Sequence, residues 1–478
     1  LINPPLTRYE GSTEFDLHLP LGLMYIAAMI RDVCEVEIFD CLLSNNIVKK
    51  GNAYVHGATE EEIRQVIENK KPGIIGISVH STTVSRNAEQ VAKIAKEVNP
   101  EIITVFGGPD PSVQYKAFLE KQTCDYCVIG DGEETFLEFI KKINAKTSLK
   151  NIKGLAFKND DGIMYVPRVF STDLDFLPFP AFDLIDLKKY LKNKNYYKNR
   201  SDIAKNSTSI ITSRGCPNHC IFCSVRLHMG QKYRVHSPEY VIKLLRVCIE
   251  KYGLTNFHFE DDNLTCDEQR FERILDLIIK EKLKIKWDTP NGVRIDKLNY
   301  NMLKKMKKSG CFQLMLAIES GNQRVLDKII HKGLNIEYAR AIVKNCKELK
   351  ISTTAFYVIG FPGETLNEIK ETMEFATKLF KQYDVYPTLM VATPLIGTEL
   401  YDICMKDKLI EGKPSPEELC IAIQTNGEPM ISTDDFSKED IKRLIKEFRK
   451  RNRLNCIRYV FKYPRNLPNY LRSLFKHP

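Results

Sequence analysis

The sequence predicts an α/β protein of two successive bodies, a doubly wound Rossmann-like sheet and then a partial (β/α)6 barrel of TIM type, followed by a helical basic tail. Three observations carry this. Short apolar runs alternate with helix-period patterns over residues 1–145 and again over 205–402, the order that builds parallel sheets. In both stretches the strand ends run into small, polar, glycine-bearing segments, where such sheets and barrels place their ligands. One loop, Ser213 to Cys223, carries three cysteines in the spacing C-x3-C-x2-C directly behind an apolar strand.

In the first stretch Leu1-Ile-Asn-Pro-Pro5 reads as the end of a buried strand, with a few residues expected ahead of it. Helices are expected over 21–30, 60–69, 86–98 and 134–143, and strands over 36–39, 74–79, 102–106 and 127–129. The strand ends then carry Asn3, Pro4 and Pro5; Ser78 to Thr83, with Ser81, Thr82 and Thr83; Gly107 and Gly108; and Gly130, Asp131 and Gly132. Glycine there lets backbone approach a bulky ligand. No G-x-G-x-x-G follows the first strand, so a dinucleotide is not expected. Cys124 and Cys127 form C-x2-C; on an extended strand residues three apart point to opposite faces, which makes them core rather than a chelating pair. Residues 146–204 read as a linker containing a small hairpin that turns at 159–162, then a proline-punctuated connection.

In the second stretch a strand at 210–212 leads into the cysteine loop. The strand at 256–259 ends in Glu260, Asp261, Asp262 and Asn263, and runs at 285–287 and 291–296, the latter with Arg294, follow. The strand at 312–317 ends in Glu319 and Ser320, that at 354–359 (with Val358 and Ile359) ends in Gly360 to Glu364, and 386–392 is the last. Every polar motif falls at a C-terminal strand end, the active face of such a barrel. Three thiolates, Cys216, Cys220 and Cys223, can hold three corners of a four-iron cluster and leave the last iron open, since no fourth cysteine follows at short range. As plain core the three would share one helix face, but Gly215 and Pro217 break a helix there and Asn218 and His219 are polar. A structural zinc site wants four ligands.

With aromatic Phe222 before its last cysteine, this loop resembles the cluster loop of radical S-adenosylmethionine enzymes. The first stretch, with Asn3-Pro4-Pro5 at its start and Pro20-Leu-Gly-Leu23 opening its first helix, resembles the cobalamin-binding domain fused to many of them. The resemblance implies a [4Fe-4S] cluster on Cys216, Cys220 and Cys223, with S-adenosylmethionine chelating the open iron and yielding a 5′-deoxyadenosyl radical on reduction. It implies contacts to that nucleotide from Phe222, from Glu260, Asp261, Asp262 and Asn263 on the ammonium side, from Arg294 on the carboxylate, from Glu319 and Ser320 on the ribose side, and from Val358, Ile359 and Gly360 on adenine. It implies cobalamin on Asn3, Pro4, Pro5, Ser78, Ser81, Thr82, Thr83, Gly107, Gly108, Gly130, Asp131 and Gly132. Asp16-Leu17-His18 begins like the D-x-H-x-x-G motif whose histidine ligates cobalt, but Leu21 stands where the glycine belongs, so a lower face without a protein histidine is expected. The implied activity is methyl transfer from methylcobalamin to an unactivated carbon of a small-molecule or lipid-like substrate, with an electron donor such as flavodoxin or ferredoxin. A ring-forming oxidative enzyme similar to the anaerobic porphyrin ester cyclases is the alternative within this architecture, and a non-catalytic corrinoid or redox sensor the alternative of another class. An RNA methylthiotransferase would need a second cysteine triad, which Cys34, Cys41, Cys124 and Cys127 do not supply. No catalytic acid or base is expected; His80, His228, His236 and His258 read as ordinary polar or packed residues.

Composition narrows the setting. Apolar content of 43% and charged content of 28% over 478 residues suit a globular protein of two or three domains. No apolar run reaches membrane-span length. Fourteen cysteines without regular pairing fit a reducing compartment, hence a cytoplasmic location. The net charge of +10 resides in the tail: residues 437–478 hold 13 Lys/Arg against 3 Asp/Glu. Ile441, Leu444, Ile445 and Phe448 recur there at helical spacing among lysines and arginines. Over 403–478 the expectation is a helical region whose basic helix docks on the barrel, with peripheral contact to an anionic membrane as the second reading. The prolines of 463–468 end any helix. No nucleic-acid-binding module is present, and none of that chemistry is expected.

Overall fold

The computed structural model describes residues 1–9, 15–197, 205–423 and 428–462. The chain forms two compact units, residues 1–198 with 225–230, and residues 199–224 with 231–478.

The first unit is built on a seven-stranded sheet in the order Gly162–Tyr165, Leu155–Asn159, Tyr126–Val128, Ile103–Gly107, Ile74–Ser78, Ile2–Asn3, Phe39–Asp40. The five strands from Phe39–Asp40 to Tyr126–Val128 are parallel. Their chain order reverses between Ile2–Asn3 and Ile74–Ser78, the switch point at which doubly wound sheets open a ligand crevice. The helices come from apolar periodicity: Thr82–Val98 buries Val84, Ala88, Val91, Ala92 and Ala95 against the sheet side. The expected hairpin forms, yet it is no free connector, because Leu155–Asn159 pairs antiparallel with Tyr126–Val128 and extends the sheet.

Three features depart from the sequence reading. Pro109–Glu120 is a helix with proline at its first turn, a position where the missing N–H costs nothing; the Gly-Gly-Pro-Asp run had read only as a strand end. A small antiparallel sheet of Leu6–Tyr9, Ala53–His56 and Ile47–Lys50 is too short to show periodicity. Cys124 and Cys127 do not face opposite ways. The strand begins only at Tyr126, so strand alternation does not govern Cys124, and the two sulfurs lie 3.6 Å apart. Both are nevertheless buried, as core residues should be.

Gly108 is conformationally obligatory. Its φ is +115°, and a Cβ there would stand 2.8 Å from the Val79 carbonyl oxygen. Gly108→Ala is therefore expected to destabilise the first unit by about 2 kcal/mol or more through strain and overlap. Gly107→Ala, whose nearest neighbour is 3.9 Å away, should cost well under about 1 kcal/mol. Thermal melts of the two variants check this, and equal losses would contradict it.

The second unit carries six strands in strict chain order, Ser207–Ile210, Asn256–Phe259, Lys286–Val293, Cys311–Glu319, Ser352–Ile359 and Tyr386–Val391, every neighbouring pair parallel. Helices Pro238–Tyr252, Glu268–Lys280, Tyr300–Lys308, Ile336–Glu348 and Leu366–Tyr383 connect them. This is the partial (β/α)6 barrel. The two runs read at 285–287 and 291–296 are one strand with register shifts at Trp287/Asp288 and Thr289/Val293, which hid its length from a period-two pattern. Fully buried Trp287 wedges between the rings of Phe259 and Phe271, 5.2 and 6.2 Å away, and its indole N–H donates to the Ser309 carbonyl at 3.2 Å.

Helix Lys438–Lys462 packs into this same unit. Ile441, Leu444 and Phe448 are buried, and Asn452 donates to Thr377 Oγ1 at 3.0 Å. The docked-helix expectation is the one the structure bears out. The apolar stripe Ile441, Leu444 and Phe448 is thus covered within this unit. The proline run 463–468 lies outside the described residues. Among the described residues no helix is long and apolar enough to cross a membrane.

Candidate functional site: a clamped cysteine loop and a glycine-lined sheet edge

The cysteine loop is held at both ends. At its stem Ser213–Arg214 pairs antiparallel with Arg234–Val235. The fully buried Asp261 accepts from Thr212 N at 3.1 Å, Thr212 Oγ1 at 2.7 Å and Ser213 Oγ at 2.5 Å. Asp262 accepts from Gly215 N at 2.8 Å, and Gly215, with φ +82°, turns the chain into the cysteines. Burial pushes the Asp261 carboxyl up; Ser213, Arg270 and Thr212 pull it back. At the far end Ile221 N donates to Ile330 O at 3.4 Å, and Leu400 N donates to Ile221 O at 2.9 Å. Phe222 lies 5.7 Å from Phe361, centroid to centroid.

None of the three cysteines is in a disulfide, and all three are partly exposed. Asn218 and Asn263 both direct side-chain N–H groups at Cys216 Sγ, at 3.2 and 3.5 Å, the hydrogen bonding that tunes a cluster sulfur. Burial pushes the Cys220 thiol up, with the charges of Lys332 and Arg294 working against it. Among the described residues no three His, Cys, Asp or Glu side chains gather round a single-ion position. Three partly exposed cysteines on one clamped loop, two of them influenced by N–H donors or cations, fit a cluster.

The expected nucleotide contacts divide into engaged and available groups. Asp261 is committed to the stem. Glu260 accepts from Ser209 Oγ at 3.0 Å. Arg294 binds Asp296 with two N–H groups at 3.0 and 3.2 Å and the Lys332 carbonyl at 2.8 Å, so its guanidinium is largely occupied. Ser320 is fully buried and bonded to Thr372 Oγ1 at 2.8 Å; it fastens the fourth strand to helix Leu366–Tyr383. Glu319 differs. It sits at φ +70°, a conformation that non-glycine residues keep only where the surroundings impose it, and it accepts from Lys332 Nζ at 3.0 Å in a pair exposed by only 8% and 4%. Asn263 Oδ1 is buried without a hydrogen-bond partner among the described residues. That orphaned acceptor beside Cys216 suits an ammonium.

Lys332 went unnoticed in the sequence. It lies outside any strand-end motif, just past the wide helical turn Val325–Ile329, and only the fold brings it to Glu319 and Cys220. Glu364 was likewise passed over. Its Oε2 accepts from Gly360 N at 2.8 Å and Phe361 N at 3.1 Å, its Oε1 has no partner among the described residues, and it is fully buried. Arg324 holds the same loop from outside by donating to Gly363 O at 2.8 Å and binding Glu368 with two N–H groups. Gly360 turns there at φ +85° behind the buried Val358 and Ile359.

Glu364 should make stability depend on pH. Burial raises its carboxyl from 4.5 to about 7, against the two backbone N–H bonds. A raised acid binds its proton more tightly in the folded state. Its contribution is therefore complete below pH about 4.5 and is lost as pH climbs through about 7, at most roughly 3 kcal/mol. The difference in melting temperature between the natural protein and Glu364→Gln should shift across that window; a constant difference from pH 5 to 8 would contradict it.

Of the histidines, His258 Nδ1 and Asp288 Oδ1 are 2.8 Å apart, both side chains fully buried on adjacent strands. His236 stacks on Tyr240 at 3.9 Å, and His18 meets the Tyr197 ring edge-on at 4.6 Å. Burial pushes His228 down to about 4, with Asp131 opposing.

In the first unit the expected cobalamin segments follow neighbouring parallel strands and share one sheet edge. Asn3 donates to Asp40 at 2.8 Å, and Asn87 donates to the Pro5 carbonyl at 2.8 Å. The hydroxyls of Ser81 and Thr83 are 2.6 Å apart, and Ser81, Thr82 and Thr83 remain half-buried. Gly107 O accepts from Val79 N at 2.7 Å, and Gly130 N donates to Ser112 Oγ at 2.9 Å. A Cβ at Gly130 would meet the Phe170 ring at 3.1 Å. Half-buried hydroxyls beside the glycine backbone of this edge fit a large, polar-edged cofactor.

Comparison with known proteins agrees. Residues 11–140 match the B12 binding domain model and residues 210–376 the radical SAM superfamily model. An uncharacterised methyltransferase of Pyrococcus horikoshii is 31% identical over 454 residues, 94% of this chain and 90% of that one. This chain belongs to the cobalamin-binding radical S-adenosylmethionine enzymes. Cytidylyl-2-hydroxyethylphosphonate methyltransferase of Streptomyces wedmorensis is 28% identical, covering 87% of this chain and 83% of its own. The anaerobic magnesium-protoporphyrin IX monomethyl ester cyclase of Rubrivivax gelatinosus is 26% identical over 68% of this chain and 58% of its own. The methyltransferase TsrM of Kitasatospora setae, solved with cobalamin and a [4Fe-4S] cluster, shares the fold at a TM-score of 0.68 and 16% identity, over 86% of this chain and 78% of that one. The chain is thus an enzyme whose cofactors are a [4Fe-4S] cluster, S-adenosylmethionine and cobalamin.

Proposed function

We propose that this enzyme is a methyltransferase acting on an unactivated carbon of a small molecule. The observation that carries the reading is the clamped three-thiol loop beside Asn263, Glu319 and Lys332, in a chain matched along nearly its whole length by methyltransferases. Bound to the chain, the three cofactors supply an electron, a carbon radical able to take hydrogen from an inert C–H bond, and a transferable methyl group.

The protein's own residues bind, orient and exclude water. Cys216, Cys220 and Cys223 hold the cluster. Asn218 and Asn263 donate to the Cys216 sulfur, and Asp261 with Asp262 fixes the loop stem. Lys332, whose ammonium has N–H groups beyond the one given to Glu319, provides the cation for the methionyl carboxylate, and Asn263 Oδ1 the acceptor for its ammonium. Glu319 faces the ribose hydroxyls, and Val358, Ile359 and Gly360 form the adenine wall. The half-buried hydroxyls Ser81 to Thr83 and the edge glycines receive cobalamin. No side chain needs to act as acid or base. A one-electron carrier of the flavodoxin or ferredoxin kind delivers the electron.

Anaerobically reconstituted enzyme, given S-adenosylmethionine with a deuterated methyl group, cobalamin, reductant and a metabolite extract, should release 5′-deoxyadenosine and mark a small molecule with that methyl. Deoxyadenosine with a product lighter by two hydrogens would replace methyl transfer by ring closure. An intact cluster that releases no deoxyadenosine with any substrate would leave a sensor.

A further inference from the structure

We propose that the outward face of helix Lys438–Lys462 is a docking surface for an anionic lipid bilayer. The site does not depend on the methyl-transfer reading. Along this helix Ile441, Leu444, Phe448, Asn452, Asn455 and Tyr459 are buried, at spacings of three and four that make one continuous inner face. The opposite face of its second half carries Lys450, Leu454, Arg458 and Phe461, again at spacings of four, four and three. Leu454 is 69% and Phe461 83% exposed, the two most exposed large apolar side chains among the described residues.

A single exposed leucine or phenylalanine means little on a protein surface. Here the charge around the two decides. From Phe448 to the last residue the sequence has nine Lys/Arg and no Asp or Glu. Residues 437–478 carry an excess of ten positive charges, 13 against 3, equal to the whole chain's net +10, so the remainder is neutral overall. On the helix, Arg451 reaches Glu374 only at 3.9 Å. Lys462 is paired with Asp384 at 2.6 Å. No ion pair is recorded for Lys450, Arg453 or Arg458 among the described residues. Two apolar side chains ringed by cations that lack carboxylate partners match a lipid interface, where the apolar groups enter the headgroup boundary and the cations meet phosphates. The inner face is already docked, so the outer one is presented on a formed helix. The acid-free sequence beyond it, with Tyr463, Tyr470, Leu471, Leu474 and Phe475, continues the same composition.

The test uses the full-length reconstituted enzyme and co-sedimentation with vesicles of equal phosphatidylglycerol and phosphatidylcholine, against pure phosphatidylcholine. The bound fraction should be at least tenfold higher on the anionic vesicles and should fall toward the neutral level in 0.5 M salt. Leu454→Glu with Phe461→Glu should abolish the difference, and Lys450→Gln with Arg458→Gln should reduce it severalfold, while deoxyadenosine release and melting temperature stay unchanged in both. Equal binding to neutral vesicles, no binding, or anionic binding undiminished in both double variants would overturn the assignment. So would capture by an acidic electron-carrier protein without any vesicle binding, which would make the face a protein interface.

Discussion

Alanine at Cys216, Cys220 or Cys223 should abolish the visible iron–sulfur absorption of reconstituted protein and reduce 5′-deoxyadenosine release to background. In the proposed site each thiolate would be one of three protein bonds to the cluster, so losing one would leave two and open a second iron to solvent and oxidant. Folding should survive, because all three side chains are partly exposed and the loop is anchored by Thr212, Ser213, Gly215 and Ile221 rather than by the sulfurs. Apo forms of the variants should melt within a few degrees of the apo natural protein. Cys266 is the control that sharpens the experiment. It follows the Asn263 turn, with its N–H on the Asn263 carbonyl at 3.1 Å. Burial first and the Cys216 charge second push its thiol up, so it lies within electrostatic reach of the cluster loop. Cys266→Ser should retain both absorption and radical release. Its failure, with the same loss as the triad variants, would make the ligand set four thiols and close the iron that S-adenosylmethionine needs.

Where the chain advertised itself, it did so through patterns that need no tertiary context. Strand–helix alternation over 1–145 and 205–402 is local, and the cysteine spacing lies within one loop. What stayed hidden depends on contacts between distant residues. The resemblance put Arg294 at the carboxylate; that Asp296, two residues on, and the Lys332 carbonyl also bind it is visible only in the fold. Lys332 follows a wide helical turn and meets Glu319 thirteen residues away only after the fourth strand and that turn fold together. Asp261, expected on the ammonium side, also proves to be the stem's hydrogen-bond hub. The amphipathic stripe at 441–448 has the periodicity of a membrane helix and of a docked one alike, and only its burial separates the two. The continuity of the bulged third barrel strand and the pairing of the expected hairpin with the first sheet escaped detection for related reasons. A register shift breaks the period-two signal, and a two-stranded hairpin carries no mark of the third strand it will pair with.

The second large effect is expected at Lys332. Lys332→Met should weaken S-adenosylmethionine binding by at least tenfold and also destabilise the second unit by roughly 3–5 kcal/mol, the typical cost of leaving one charge of a buried pair uncompensated. The two effects can be separated. Glu319 is exposed by 8% and its partner by 4%, so in the single variant the stranded carboxylate rather than a lost contact to ligand dominates the melt. Adding Glu319→Gln removes that charge. The double variant Lys332→Met, Glu319→Gln should therefore recover most of the stability. It should not recover nucleotide binding, because the cation that meets the methionyl carboxylate is still missing. Equilibrium dialysis with radiolabelled S-adenosylmethionine, run beside thermal melts of all three variants, reads both quantities. If the double variant regained binding together with stability, Lys332 would be only a structural counterion of Glu319, and the carboxylate would have to be met elsewhere. Arg294→Lys provides the opposing arm. With its Nε and Nη2 committed to Asp296 and the Lys332 carbonyl, that variant should alter stability by breaking a two-pronged pair that lysine cannot reproduce, and leave nucleotide affinity within about twofold once measured on folded protein.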